Sequence, residues 1–165
     1  MEYLLKVKSN YVSKFKKGYP LISKEAILNL KTVKEEGAVV RLVDEQNQFI
    51  AKGYYGIQNK GYGWVLTRNE HEALDGRFFK QKIEHAIRSR QSLFQDPETT
   101  AFRVFNGEGD GIGGLTIEYF DGFYLIHWYS KGIYAFKDMI IDSLKNVVDY
   151  KGIYQKKRFD TKGKY

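Results

Sequence analysis

The stretch Phe102-Arg103-Val104-Phe105-Asn106-Gly107-Glu108-Gly109-Asp110-Gly111-Ile112-Gly113-Gly114-Leu115-Thr116-Ile117-Glu118 places five glycines within nine residues between two apolar runs. Gly109, Gly111 and Gly114 match the spacing of a dinucleotide-binding fingerprint. That fingerprint works only where a strand leads in and a helix leads out, because the helix N-terminus holds the pyrophosphate. Here Leu115-Thr116-Ile117-Glu118-Tyr119-Phe120 follows and reads as a strand. A calcium loop fails too: Asn106, Glu108, Asp110 and Gly111 fit its first, third, fifth and sixth positions, but the twelfth is Ile117 instead of an acid. No Lys-Ser/Thr pair supports a phosphate loop. The segment is read as a tight connection between two strands, in which Gly109, Gly111 and Gly113 hold backbone angles closed to β-branched residues.

Downstream of the loop, Asp121-Gly122 separates apolar runs at 115–120 and 123–129, a strong hairpin signal. A helix is expected at 134–148, burying Phe136, Ile140, Ile141, Leu144 and Val147. A last strand starts at Gly152-Ile153-Tyr154 and runs into Gln155-Lys156-Lys157-Arg158. Upstream, Phe79, Ile83, Ala86, Ile87 and Phe94 recur at helical spacing and predict one amphipathic helix over 77–94, with Pro97 at its exit. The pattern changes at Asp75-Gly76. Before it, strands are expected at 4–8, 11–15, 38–43, from 49 onward and at 62–67, the last burying Tyr62, Trp64 and Leu66 on one face. A helical turn or two is expected within 20–30, with Ser23 as N-cap. Strands this frequent with little helix suggest a small barrel. The expected fold class is therefore α+β: a β-barrel-like domain at 1–75 followed by a strand–helix domain at 76–165.

The chain has 165 residues, 42% of them hydrophobic, and this is enough apolar surface for packed cores. It has no cysteine, which excludes disulfides, thiolate metal sites and cysteine catalysis within it and fits a cytoplasmic protein. No window approaches the ~18 apolar residues of a membrane helix, and the opening Met-Glu-Tyr-Leu-Leu-Lys is not a signal peptide. No membrane partner is expected. His71, His85 and His127 lack a matching set of ligands, and no nucleophile–base pairing is legible. His127, in an apolar strand, reads as a core residue.

The net charge of +7 is unevenly placed. Residues 1–17 carry five lysines against one acid, residues 145–165 carry seven basic residues against two acids, and the middle is slightly acidic. Localised basic charge attracts a polyanion. It selects Lys6, Lys8, Lys14, Lys16 and Lys17 at one end, and Lys156, Lys157 and Arg158 at the other, as candidate nucleic-acid contacts. Charge alone leaves a second reading open, in which both ends are merely solvated. Trp64, Tyr54, Tyr55 and Tyr62 are candidates for stacking on RNA bases, although aromatic residues in strands more often belong to the core.

In order and content these segments resemble the RlmI-like family, S-adenosylmethionine (SAM)-dependent methyltransferases that modify cytosine in large-subunit rRNA. The resemblance rests on the loop residues Asn106, Gly107, Glu108, Asp110, Gly111 and Gly114 with the following Leu115-Thr116. It extends to Lys14-Phe15-Lys16-Lys17-Gly18-Tyr19-Pro20, to Gly53-Tyr54-Tyr55 and to Tyr154-Gln155-Lys156-Lys157-Arg158. It implies a PUA domain (a small RNA-binding pseudo-barrel) at 1–75 and a middle domain at 76–165. It implies rRNA as partner, along with a downstream methyltransferase domain of the same protein. In the family, the SAM motifs and the catalytic cysteine belong to that third domain. The resemblance therefore implies no catalytic, cofactor-binding or metal-binding residue in this chain, and SAM only in the full-length protein. The ending Lys162-Gly163-Lys164-Tyr165 reads as a cut within a larger protein. The alternative is a stand-alone, non-catalytic interaction domain without an RNA role.

Overall fold

Along the first strand, Leu5 and Val7 are fully buried while Leu4 stays exposed, an alternation that gives the strand one core face. The computed structural model describes residues 2–59 and 61–159, so the ending at 162–165 lies outside the described residues. The first elements are β1 (Glu2–Lys6), α1 (Ser9–Lys16), β2 (Leu21–Ile22), β3 (Val39–Val43), β4 (Phe49–Gln58) and β5 (Gly61–Thr67). Among the described residues the strands form a five-stranded sheet in the order β1-β3-β4-β5-β2. It is mixed, because β1 runs parallel to β3 while the other pairs are antiparallel. Leu5, Phe15, Ile22, Val40, Leu42 and Ala51 share its core. At Gly53 the Trp64 carbonyl approaches so closely that no Cβ would fit.

Three expectations need correction here. Residues 11–15 are not a strand but the body of α1, in which Phe15 is buried and Tyr11 and Val12 pack partly against the same core. Tyr11, Val12 and Phe15 stand at i, i+1 and i+4, so a run this short fits helical and extended periods alike. The helical turn near residue 23 is a single 3-10 turn at Lys24–Ala26, and the Ser23 side chain makes no capping bond. On β5 Leu66 is buried as expected, but Tyr62 and Trp64 are only half-buried, while Gly61, Gly63, Val65 and Thr67 are buried too.

The remaining elements are α2 (Gly76–Ser89), α3 (Gln91–Gln95), β6 (Ala101–Asn106), β7 (Leu115–Phe120), β8 (Phe123–Trp128), α4 (Lys131–Tyr134), α5 (Lys137–Val147) and β9 (Gly152–Lys157). Four strands form a second mixed sheet in the order β6-β7-β8-β9, with β8 and β9 parallel. The chain thus has an α+β fold with two mixed sheets and, among the described residues, five α-helices. It divides into two units. One holds the residues through Glu72 together with Ser130–Ala135, and the other holds Ala73–Tyr129 and the chain from Phe136 on. The short helix α4 therefore belongs to the first unit although it lies far along the sequence.

The expected helix over 77–94 is two helices. Asp75 caps α2 by accepting a hydrogen bond from the Phe78 N–H, and Phe78, Phe79, Ile83 and Ala86 form its buried face. The helix stops at Arg90, whose backbone (φ −110°, ψ 18°) leaves the helical region. Phe94 sits in α3 and packs edge-on against Phe102 and Tyr119, with ring centroids 4.8 and 5.0 Å away. The expected helix over 134–148 corresponds to α5, and the short α4 that precedes it was not expected. The Ser130 hydroxyl caps α4 by accepting from the Ile133 N–H, and α5 starts after Phe136. Ile140 and Leu144 are fully buried as expected, but Ser143 completes the buried face in place of Ile141 and Val147. No helix among the described residues is long and apolar enough to cross a membrane.

Candidate nucleic-acid interface

The N-terminal lysines have two supports. Lys6 and Lys8 take the positions between the buried Leu5 and Val7 and just beyond, so they fall on the outward side of β1 and its exit. Lys14, Lys16 and Lys17 flank buried Phe15 in the last turn of α1, and all three are exposed. Cations at a helix C-terminus complement the partial negative charge of its free carbonyls. Arg68 reinforces this end from outside the segment: its Nε donates to the Phe15 carbonyl at 3.0 Å and its Nη2 to the Tyr19 carbonyl at 3.2 Å. Lys14 Nζ lies 4.1 Å from the centroid of the Tyr19 ring, a cation–π contact that holds the ammonium at the surface. Arg68 was not singled out in the sequence, because its partners Phe15 and Tyr19 lie 53 and 49 residues away.

The C-terminal cluster is split by strand parity. Lys156 is opposite His127 and Lys157 opposite Trp128 in the parallel β8–β9 register, so adjacent lysines project to opposite faces. Arg158 shares the Lys156 parity, and its Nε donates to His127 Nδ1 at 3.0 Å. His127 is thereby the neutral tautomer with its proton on Nε2. Burial, first, and the nearby Arg158 guanidinium push its pKa below the ordinary histidine value. It is 6% exposed, in keeping with a core position. The two basic ends of the chain fall in different units.

The glycine-rich loop connects β6 to β7, with a 3-10 turn at Gly107–Asp110. Positive φ occurs at Gly107 (58°), Gly111 (99°) and Gly114 (84°). The expectation for Gly111 agrees with this, whereas those for Gly109 and Gly113 do not. Asp110 organises the loop. Its carboxylate accepts from Arg90 Nη1 at 3.1 Å, from Arg90 Nη2 at 2.8 Å and from the Asn106 N–H at 2.7 Å. Asn106 Oδ1 in turn accepts from Arg103, and Arg103 pairs with Glu118 at 2.8 Å. Glu108 is exposed, and the Gly114 carbonyl accepts from the Tyr129 N–H. Because a strand follows the loop, its glycines present no helix N-terminus, and these residues do not form the strand-to-helix turn that cradles a dinucleotide pyrophosphate.

Of the aromatic candidates for base stacking, Tyr54 is fully buried and Tyr55 nearly so. Burial raises both phenol pKa values above the usual tyrosine range, first by desolvation. These two rings belong to the core and are withdrawn as stacking surfaces. Trp64 is half-buried and donates from Nε1 to Gln58 at 2.7 Å.

Residues 5–68 match the family model of a PUA-like domain. Over 164 residues the chain is 56% identical to YwbD of Bacillus subtilis (strain 168), whose name assigns it to the ribosomal RNA large subunit methyltransferases; the match covers 98% of this chain and 41% of YwbD. It is 26% identical over 146 residues to ribosomal RNA large subunit methyltransferase I of Alteromonas mediterranea, covering 88% of this chain and 37% of that protein. Among solved structures, a Streptococcus mutans protein described as a SAM-dependent methyltransferase superposes with a TM-score of 0.87 at 30% identity, over 95% of this chain and 41% of the other. A methyltransferase complexed with SAH gives the same TM-score and identity over 96% of this chain and 41% of the other. The chain therefore spans 37–41% of the length of these relatives.

Proposed function

Since this chain belongs with the RlmI-like proteins, we propose that it is the RNA-binding and substrate-positioning N-terminal region of a SAM-dependent, cytoplasmic enzyme that methylates cytosine in large-subunit rRNA. In this reading residues 1–75 are the barrel-like PUA domain and residues 76–165 the middle domain that leads to a methyltransferase domain beyond this chain. The observation that carries the RNA role is the grouping of exposed Lys14, Lys16 and Lys17 around the last turn of α1, within the unit that holds the PUA-like match. Lys6, Lys8, Lys156, Lys157 and Arg158 add further positive charge. Contacts from such residues to phosphate give affinity and orientation, while base identity is read elsewhere.

Methyl transfer itself is assigned to no residue here. The glycine-rich loop is not read as the cofactor site, and Asn106, Gly107, Glu108, Asp110, Gly111 and Gly114 are read as a scaffold for the second unit. SAM belongs to the full-length protein. The test is fluorescence anisotropy of this chain with a labelled, structured rRNA fragment at several salt concentrations. The expected result is weak binding that falls steeply with salt. No binding at low salt would refute the RNA role and favour the stand-alone interaction domain.

A further inference from the structure

We propose that the outward face of the second sheet is a platform for single-stranded RNA, with exposed aromatic rings that stack on bases at one end and cations that hold phosphates at the other. This rests on the RNA-binding reading above and adds a site to it.

Strand parity separates the two faces. Leu115, Ile117, Ile126 and Trp128 are fully buried, as are Ile140 and Leu144 of α5, and Ile83 of α2 is almost so. The opposite parity is occupied differently. In one cross-strand row Phe120 is opposite Phe123, and in the next Leu125 is opposite Tyr154. Phe120, Phe123 and Tyr154 are 47%, 38% and 60% exposed, and the last two rings lie 6.2 Å apart. These rings leave their faces open to solvent, and every base offers a π-face to such rings.

The same face turns basic toward the other end. Lys156 is exposed beside His127, Arg158 is steered there by its bond to His127, and Arg103 lies across from Glu118. Three cations against the single carboxylate of Glu118 favour a polyanion. The ring rows and the cation rows adjoin, at a spacing of about 7 Å along the strands. A paired duplex hides its base faces, so the rings select unpaired RNA.

The test uses this chain with a 5-iodouridine-substituted single-stranded oligonucleotide. Photocrosslinks are expected at Phe123 and Tyr154, and the variant carrying Phe123→Ala and Tyr154→Ala is expected to lose about tenfold or more in affinity. Its log-affinity versus log-salt slope should stay unchanged, because no phosphate contact is removed. Crosslinks confined to other residues overturn the proposal even if the variant fails to fold, and so does a correctly folded variant with unchanged affinity. A dimer of the chain that the double variant abolishes, without RNA crosslinks at these rings, assigns the face to a second copy and also overturns it. If Lys14, Lys16 and Lys17 govern binding while the rings do not, only the platform falls; if no RNA binds at all, both readings fall.

Discussion

The guanidinium of Arg90 grips the carboxylate of Asp110 through two parallel contacts, Nη1 to Oδ1 at 3.1 Å and Nη2 to Oδ2 at 2.8 Å. Both side chains are mostly sequestered, at 20% and 12% exposure. The pair ties the glycine-rich loop to the point where α2 ends, and Arg90 Nε also donates to the Arg103 carbonyl on β6. One side chain thus fastens a helix terminus, a strand and a loop.

Asp110→Ala should destabilise the second unit by about 2 kcal/mol, the scale of hydrogen bonds to charged groups. Denaturant unfolding with Arg90→Ala and the double variant gives the coupling energy. The double variant is expected to lose clearly less than the sum of the two singles. Strict additivity would show that the clasp contributes nothing as a pair.

Gly111, with φ 99° and Lys82 methylenes near the position of an added Cβ, should tolerate substitution poorly. Gly111→Val should cost roughly 1–3 kcal/mol from backbone strain. Gly109→Ala, at a position without positive φ, should have a much smaller effect. Equal melting temperatures for the two variants would contradict the observed loop geometry.

His127 gives the second unit a pH dependence. Its pKa is lowered in the folded state, by burial and by Arg158, with Arg103 and Lys156 acting the same way and Glu118 opposing. The unfolded chain therefore binds a proton more readily, and stability rises with pH. This contribution is complete above the ordinary value of 6.5 and is lost as pH falls from there through the folded pKa. Thermal melts between pH 7.5 and pH 5 should show a decline that His127→Gln reduces. A decline identical in both proteins would place the titration elsewhere.

Lys14→Ala, Lys16→Ala and Lys17→Ala combined should flatten the salt dependence of binding to structured rRNA. At roughly 0.7–0.9 per phosphate neutralised, three single contacts lower the slope by about two units. The loss should be similar for unrelated sequences, since phosphates carry no base information. An unchanged slope removes α1 from the RNA surface.

Most strands could be read from residues alone, because alternation and turn chemistry are local. Asp121 and Gly122 both take positive φ, as a tight hairpin requires, and β7 and β8 flank them in register. The loop was separable from a cofactor fingerprint because Leu115-Thr116-Ile117 already reads as a strand. The break at Arg90 was not legible, since apolar spacing continues across it. What stops α2 goes with a side chain that reaches Asp110, twenty residues further on.

By itself the sequence determined most of the strands, though not the helix at α1 or the short β2, and it determined that the glycine-rich loop would join two strands and that positive charge would gather at the chain ends. These properties follow from local backbone preference and composition. Only the tertiary structure decided which candidates share a surface. It buried Tyr54 and Tyr55, divided Lys156 from Lys157, and brought the Phe123 and Tyr154 rings within 6.2 Å, diagonally across parallel strands. The physical reason is register: a shift of one residue in strand pairing exchanges the two faces of a sheet, and that register depends on packing between segments far apart in the chain.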